Sequence, residues 1–216
     1  MVHFISENPS ILTQFIGEVR DAGIQRDPLR FRRNLERIGE IFAVEISRSL
    51  SYTGTEVITP LGIATVPLLD DYPVLATILR AGLPFHQGFL NVFDRSENAF
   101  ISTYRKTHKD GSFSMSVEYA SIPALDGKVL ILCDPMVATG SSIIHAYKEL
   151  MAHGKPKHVH IVTIVASMEG LNNLKLNLPK RNVDLWLGAV DEELTAQSFI
   201  VPGLGDAGDL SYGVKI

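Results

Sequence analysis

Apolar residues recur at steps of three and four along one early stretch of the chain: Phe31, Leu35, Ile38, Phe42, Ile46 and Leu50. That spacing gathers them on a single face and predicts a core-facing helix. Asp27-Pro28 opens it. Aspartate can accept from the free N–H groups of a first turn, and proline at the first helical position gives up a donor that would lack a partner anyway. A shorter helix is expected over residues 10–22, capped by Ser10. The pattern then changes. Val74 to Leu79, Val129 to Leu132, Val159 to Val165 and Val183 to Val190 are short continuous apolar runs, and residues 99–104 are similar. Their length and composition predict buried strands. Between them lie helical stretches: Pro84 to Phe93, a segment with Ile143, Tyr147, Leu150 and Met151 on one face ending near Gly154, and residues 168–176. Strands alternating with helices predict an α/β fold, a doubly wound, mainly parallel sheet with helices on both faces.

Two further patterns stand outside that alternation. Thr55 to Thr59 and Ile63 to Val66 can pair across Pro60-Leu61-Gly62. Phe113, Met115, Val117 and Tyr119 alternate with polar residues, the period of a half-exposed strand. Thr107 to Gly111 before them is turn chemistry, so residues 99–120 are expected to form a projecting β-hairpin arm. The tail from Pro202 to Gly213 is rich in glycine. Neither a repeat nor a low-complexity linker interrupts the chain. One domain is therefore expected over 1–216, with a helical N-terminal part (1–54), the arm (99–120) and the tail (196–213).

Composition narrows the function. With 45% hydrophobic and 20% charged residues the chain reads as globular, and its formal net charge of −4 argues against general nucleic-acid binding. Any phosphate chemistry must then rest on local groups. Cys133 is the only cysteine, so no intrachain disulfide can form and a reducing compartment is expected. No signal peptide is recognisable. No window approaches the roughly 18–20 apolar residues of a membrane span. A cytoplasmic location is expected, with no membrane partner.

The densest chemistry lies in residues 129–142. An apolar strand ends at Cys133-Asp134, a loop of small and hydroxyl residues follows, and an amphipathic helix begins. Ligands of open parallel sheets bind beyond the carboxyl ends of strands, and a helix N-terminus offers free N–H groups to a phosphate. Gly140 allows close backbone approach, while Thr139, Ser141 and Ser142 add hydroxyl donors. An ordinary strand-to-helix turn has a similar composition. Its coincidence with Asp134 points to an anion cradle beside a carboxylate, which suits a sugar phosphate. Arg80 ends another apolar strand, where it could be merely solvated or could reach a ligand. In Val201 to Asp209 three glycines and two acids crowd together, either as a surface loop or as a pocket wall presenting main-chain groups to a flat ligand. His158 and His160 share one strand face, but two histidines there fit core packing better than a metal site. Cys133, at the inner end of a buried strand, is not expected to act as a nucleophile.

Three segments, Ile78-Leu-Arg-Ala-Gly-Leu83, Cys133-Asp-Pro-Met-Val-Ala-Thr-Gly-Ser-Ser142 and Ile200-Val-Pro-Gly-Leu-Gly-Asp-Ala-Gly-Asp209, resemble in order the signature segments of the uracil phosphoribosyltransferases. The resemblance implies a type I phosphoribosyltransferase fold and transfer of a phosphoribosyl group from 5-phosphoribosyl-1-diphosphate (PRPP) to uracil, giving UMP and diphosphate. It implies that PRPP is held by Arg80, Arg105, Asp134, Pro135, Met136, Val137, Ala138, Thr139, Gly140, Ser141, Ser142 and Asp206, with Asp134, Arg105 and Arg80 serving catalysis. Uracil is expected against Ile200, Gly205, Asp206 and Ala207. Mg²⁺ is implied as cofactor, carried by the diphosphate rather than by a dedicated ligand set, and a homodimer or higher homo-oligomer is implied. Gly140-Ser141 stands where many relatives have two glycines, and Pro84-Phe85-His86 and the basic tip Lys106 to Lys109 also depart from the pattern. The alternatives are transfer to another nucleobase and, in a different class, a pyrimidine-responsive RNA-binding regulator of the same fold.

Overall fold

The protein is described by a computed structural model over residues 1–107 and 113–215, with 104–107 and 113–117 described by their backbone alone. Its elements run β1 (Val2–Phe4), α1 (Ile11–Arg20), α2 (Pro28–Ser47), β2 (Tyr52–Thr59), β3 (Gly62–Leu69), β4 (Val74–Leu79), α3 (Gly82–Val92), β5 (Asn98–Thr107) and β6 (Phe113–Ser121). They continue with β7 (Val129–Cys133), β8 (Met136–Val137), α4 (Ser141–Ala152), β9 (His158–Ser167), α5 (Met168–Asn177), β10 (Val183–Asp191), β11 (Glu193–Leu194), β12 (Ile200–Val201) and α6 (Ala207–Tyr212).

The main sheet has the order β1-β10-β9-β7-β4-β5-β6, with β8 alongside β9. Its pairs are parallel except β5 with β6. The doubly wound α/β expectation therefore holds. Strand side chains alternate between faces, and the core divides accordingly. Leu75, Ile131, Cys133 and Trp186 join α1, α2 and α3 in one cluster, while Val74, Ala76, Leu130 and Leu132 join α4 and α5 in the other. The α2 stripe is wholly inside the first cluster. Phe31, Leu35, Ile38, Phe42 and Ile46 are buried, and Asp27 caps the helix by accepting from the Leu29 and Arg30 amides. Leu50 lies beyond the end of α2 yet packs against the same cluster.

Helices α2 and α3 meet backbone to backbone. A Cβ on Gly88 would lie 2.1 Å from the Glu36 carbonyl oxygen, and one on Gly39 would lie 2.3 Å from that of Phe85. Phe85 then packs edge-on against Phe42 and Phe89, at centroid distances of 5.6 and 5.3 Å.

Several expectations shift. Residues 1–54 are not purely helical: β1 pairs with β10 at the edge of the sheet, and β2 begins at Tyr52. The hairpin around Pro60-Leu61-Gly62 is longer than expected and forms its own two-stranded sheet. Ile58, Leu61 and Ile63 on it are exposed. The arm is rooted in the main sheet through the pairing of β5 with β4. Its ladder with β6 shifts register between Ser102 and Thr103. The basic positions Lys106 to Lys109 lie outside the residues whose side chains are described.

Candidate functional site

Strands β4 and β7 are neighbours, with Thr77 opposite Cys133, so the residues that follow them, Arg80 and Asp134, leave the sheet at the same edge. The Thr77 hydroxyl donates to the Cys133 carbonyl at 3.3 Å and ties the two strand ends together. Asp134 is buried, and among the described residues its Oδ1 accepts only a long 3.5 Å contact from the Met136 amide. Burial raises its pKa to about 7, the Met136 N–H opposing weakly. This carboxyl keeps most of its accepting capacity for something that is not protein. Burial and the adjoining Asp134 push the Cys133 thiol well above its ordinary value, which removes it as a nucleophile at neutral pH.

After Asp134 the chain is braced through its carbonyls. Pro135 O accepts from the Ile164 and Val165 amides, both at 3.1 Å, and Met136–Val137 pair with β9 as β8. Ala138 O accepts from the Ser167 hydroxyl at 2.5 Å, and Thr139 O accepts from Asn173 Nδ2 at 2.7 Å. Gly170 completes this floor, since a Cβ there would stand 2.3 Å from Ala138 O. Gly140 caps α4 with φ +80°, a left-handed conformation that favours glycine, and makes no side-chain cap. With carbonyls tied downward and the cap position empty of a side chain, the first-turn amides of α4 lack intrahelical partners. The Thr139 hydroxyl donates to Ser141 Oγ at 3.1 Å. The arrangement can hold an anion. Ser167, Gly170 and Asn173 were not anticipated from the sequence. The Ser167-x-x-Gly170 capping spacing was visible, but its target in another segment was not.

The tail reaches the same sheet edge through Arg80. Strands β11 and β12 pair, Ile200 is buried, and Asp206 caps the short α6 by accepting from the Asp209 amide at 2.9 Å. Gly203 has φ +58° and Gly205 φ +89°. At Gly203 a Cβ would also fall 2.2 Å from Ile200 O. The tail closes on Arg80, whose Nη2 donates to Asp209 Oδ1 at 2.8 Å and whose Nη1 donates to Gly213 O at 3.2 Å. The Arg80 Nε is buried with no protein partner among the described residues. Thus the structure joins Arg80 to the 206–209 segment and sets Asp134 beside the strand that carries Arg80. Arg105 stands on β5, opposite Met115, and its side chain lies outside the described residues.

The other end of the sheet holds a second concentration of titratable groups. Ligand atoms of His158, His160 and Asp184 lie within 4.8 Å of one another. The Trp186 indole N–H donates to His160 Nδ1 at 3.1 Å, so a neutral His160 carries its proton on Nε2 and lacks a free lone pair. Burial lowers the His160 pKa to about 4, with His158 adding to the shift. Burial alone would raise Asp184, but the N-terminal ammonium at 2.5 Å and His158 at 3.0 Å override it and hold the carboxyl below its ordinary value. His158, His160, Asp184, the Trp186 indole and the N-terminal ammonium thus partner one another.

Comparison with known proteins shows the family and the fold. A family model described as uracil phosphoribosyltransferase matches residues 6–214. A curated uracil phosphoribosyltransferase from Porphyromonas gingivalis is 50% identical over 216 residues, covering 100% of this chain and 99% of its own length. Among solved structures, the AQ2163 protein from Aquifex aeolicus superposes with a TM-score of 0.87 at 28% identity, over 100% of both chains. A hypoxanthine phosphoribosyltransferase from Staphylococcus aureus, at 10% identity, has a TM-score of 0.52 over 80% of this chain and 85% of its own, a likeness of fold alone. No described helix is long and apolar enough to cross a membrane.

Proposed function

Because the chain belongs to the uracil phosphoribosyltransferase family, we propose that it transfers the phosphoribosyl group of PRPP to uracil, giving UMP and diphosphate in pyrimidine salvage. One observation carries the reading. A buried carboxyl with spare accepting capacity and a helix N-terminus whose Ser141 amide makes only a long 3.4 Å contact with Thr139 Oγ1 share a sheet edge with Arg80, which the glycine-rich tail already touches.

In this reading Asp134 accepts from the ribose hydroxyls, and residues 135–142, from Pro135 to Ser142, enclose the 5-phosphate with N–H and hydroxyl donors. Arg80, together with Arg105 from the arm, faces the diphosphate, where leaving-group charge develops. Fixed cations and donors there stabilise the transition state without covalent help. Uracil lies against Ile200 and Gly205-Asp206-Ala207. A flat ring with alternating acceptors and donors suits recognition by main-chain groups held in place. The carboxyl of Asp134, an oxygen donor with spare capacity, is compatible with a hard cation such as Mg²⁺ nearby. That ion would neutralise diphosphate charge, and PRPP itself carries it, with no side chain assigned as its dedicated ligand. Formation of UMP from uracil, PRPP and Mg²⁺ tests the reading. A competition among uracil, cytosine, hypoxanthine and guanine tests its base. Turnover of a purine in preference to uracil would overturn the assignment of the tail.

The same reading takes residues 1–216 as one domain, in the cytoplasm, where a lone buried thiol stays reduced. It makes the protein a homodimer or higher homo-oligomer. The β2–β3 hairpin supports that, because an isolated two-stranded sheet is marginal in water and this one exposes Ile58, Leu61 and Ile63.

A further inference from the structure

The tail that faces the base is fastened at one residue by an ion pair whose members are far away in sequence. Arg20, the last residue of α1, and Asp191, the last residue of β10, form a two-pronged pair, with Nη1 to Oδ2 at 2.9 Å and Nη2 to Oδ1 at 3.1 Å. Both reach Gly203 as well. Its N–H donates to Asp191 Oδ2 at 2.9 Å, and its carbonyl accepts from Arg20 Nη1 at 3.2 Å. One peptide segment is thus gripped on its donor and its acceptor by two opposite charges. The Asp191 side chain is 9% exposed and that of Arg20 22%, so water competes poorly for either contact. Hydrogen bonds to charged groups are among the stronger ones in a protein, particularly where both partners are fixed.

The place of the grip matters more than its strength. Gly203 lies between Ile200 on one side and Gly205 to Ala207 on the other. With Gly203 in its left-handed conformation and packed under Ile200 O, there is little slack between the anchor and those positions. Neither side chain hydrogen-bonds to Asp134, the 138–142 loop or Arg80. The link to that loop runs through the backbone, where Asp191 lies opposite Ser167, whose hydroxyl holds Ala138 O, and a side-chain substitution leaves that pairing in place. We propose that Arg20 and Asp191 are positioning residues for nucleobase recognition: they fix the main-chain groups that read uracil, independently of the groups that hold PRPP.

The proposal rests on the assignment of the tail to uracil, and the test separates the two. Asp191→Ala and the conservative Asp191→Asn and Arg20→Lys are compared with the unsubstituted enzyme in steady-state kinetics with each substrate varied, alongside hydrogen exchange at the residue 203 amide. The expected result for Asp191→Ala is a KM for uracil raised about tenfold or more, the scale of one lost charged hydrogen bond. The KM for PRPP should stay within about twofold, with faster exchange at residue 203. Asp191→Asn keeps an acceptor for the Gly203 N–H and should recover part of the loss, and Arg20→Lys, which keeps a cation near Asp191, should be less impaired than Asp191→Ala. Equal damage to both substrates, or an unchanged KM for uracil with the amide exchanging fast, overturns the proposal and leaves the uracil assignment standing. An unsubstituted enzyme that prefers another base overturns the assignment itself. If Asp191→Ala does not fold, the two conservative variants decide by the same split between substrates.

Discussion

The two ends of the central sheet carry comparable numbers of chemically capable side chains and use them in opposite ways. At the amino ends of β9 and β10, His158, His160, Asp184, the Trp186 indole and the N-terminal ammonium partner one another, and His3 stacks on Trp186 at a centroid distance of 4.0 Å. At the carboxyl ends of β4 and β7, among the described residues, Asp134 has one long contact, Arg80 keeps an unpartnered Nε, and the Ser141 amide opening α4 makes only a long contact with Thr139 Oγ1. Titratable groups packed together are therefore not the signature of a site here. What sets the second end apart is that a carboxyl, a guanidinium and a helix N-terminus with capacity left over meet there, whereas a single buried polar atom without a hydrogen-bond partner, such as His3 Nε2 at the first end, also occurs elsewhere.

The contrast can be broken most directly at Asp134. Asp134→Asn should lower kcat/KM for PRPP by about 10- to 100-fold, the range for losing charged hydrogen bonds in the transition state. The far-ultraviolet dichroism should be unchanged; a variant with unaltered kinetics would show that the carboxyl does not face substrate. Next comes Gly170→Ala, which drives a methyl group into Ala138 O. Overpacking of this kind costs about 1–3 kcal/mol. Thermal unfolding should register it together with a raised KM for PRPP, and an unaffected KM would mean that the floor beneath the loop is not positioning it.

A pH series sharpens the comparison without substrate. The folded-state pKa of Asp134, about 7, lies above the ordinary value of 3.8. Its contribution to stability is therefore full below about pH 4 and is lost as pH rises through about 7. Asp134→Asn lacks that loss, so its melting temperature relative to the unsubstituted protein should climb between pH 5 and pH 8. A difference that stays flat would mean the carboxyl is not buried as described. The smallest effect on activity belongs to the other end of the sheet. His160→Phe strands the Trp186 N–H and should cost about 1–3 kcal/mol of stability, while both KM values and kcat stay close to those of the parent.

How much was legible in the sequence follows from distance along the chain. The β7–loop–α4 unit could be read because its strand, turn and helix signals lie within residues 129–152 and agree with one another. The stripe of α2 was equally local. Strand β1 was not legible: three residues carry no usable period, and they become a strand only by pairing with β10 at the far end of the chain. Helix α3 begins at Gly82 rather than at Pro84, because proline is tolerated in a first turn. Helix α6 was hidden among glycines, its only cue being Asp206 at the cap. At the site, residues contributing through their own segment were visible. Those acting on another segment, such as Ser167, Asn173, Arg20 and Asp191, carried no local mark.

The glycine-to-glycine seam between α2 and α3 bears on how the enzyme accommodates its substrates. With two backbones in contact there is no cushion of side chains to compress. Arg80 sits just ahead of α3 and so inherits an immovable footing, whereas α6 and the turns preceding it rest on side-chain tethers. The tail is held against that footing by two ion pairs, Arg80 with Asp209 and Arg20 with Asp191, so α3 serves as the fixed jaw of the vise.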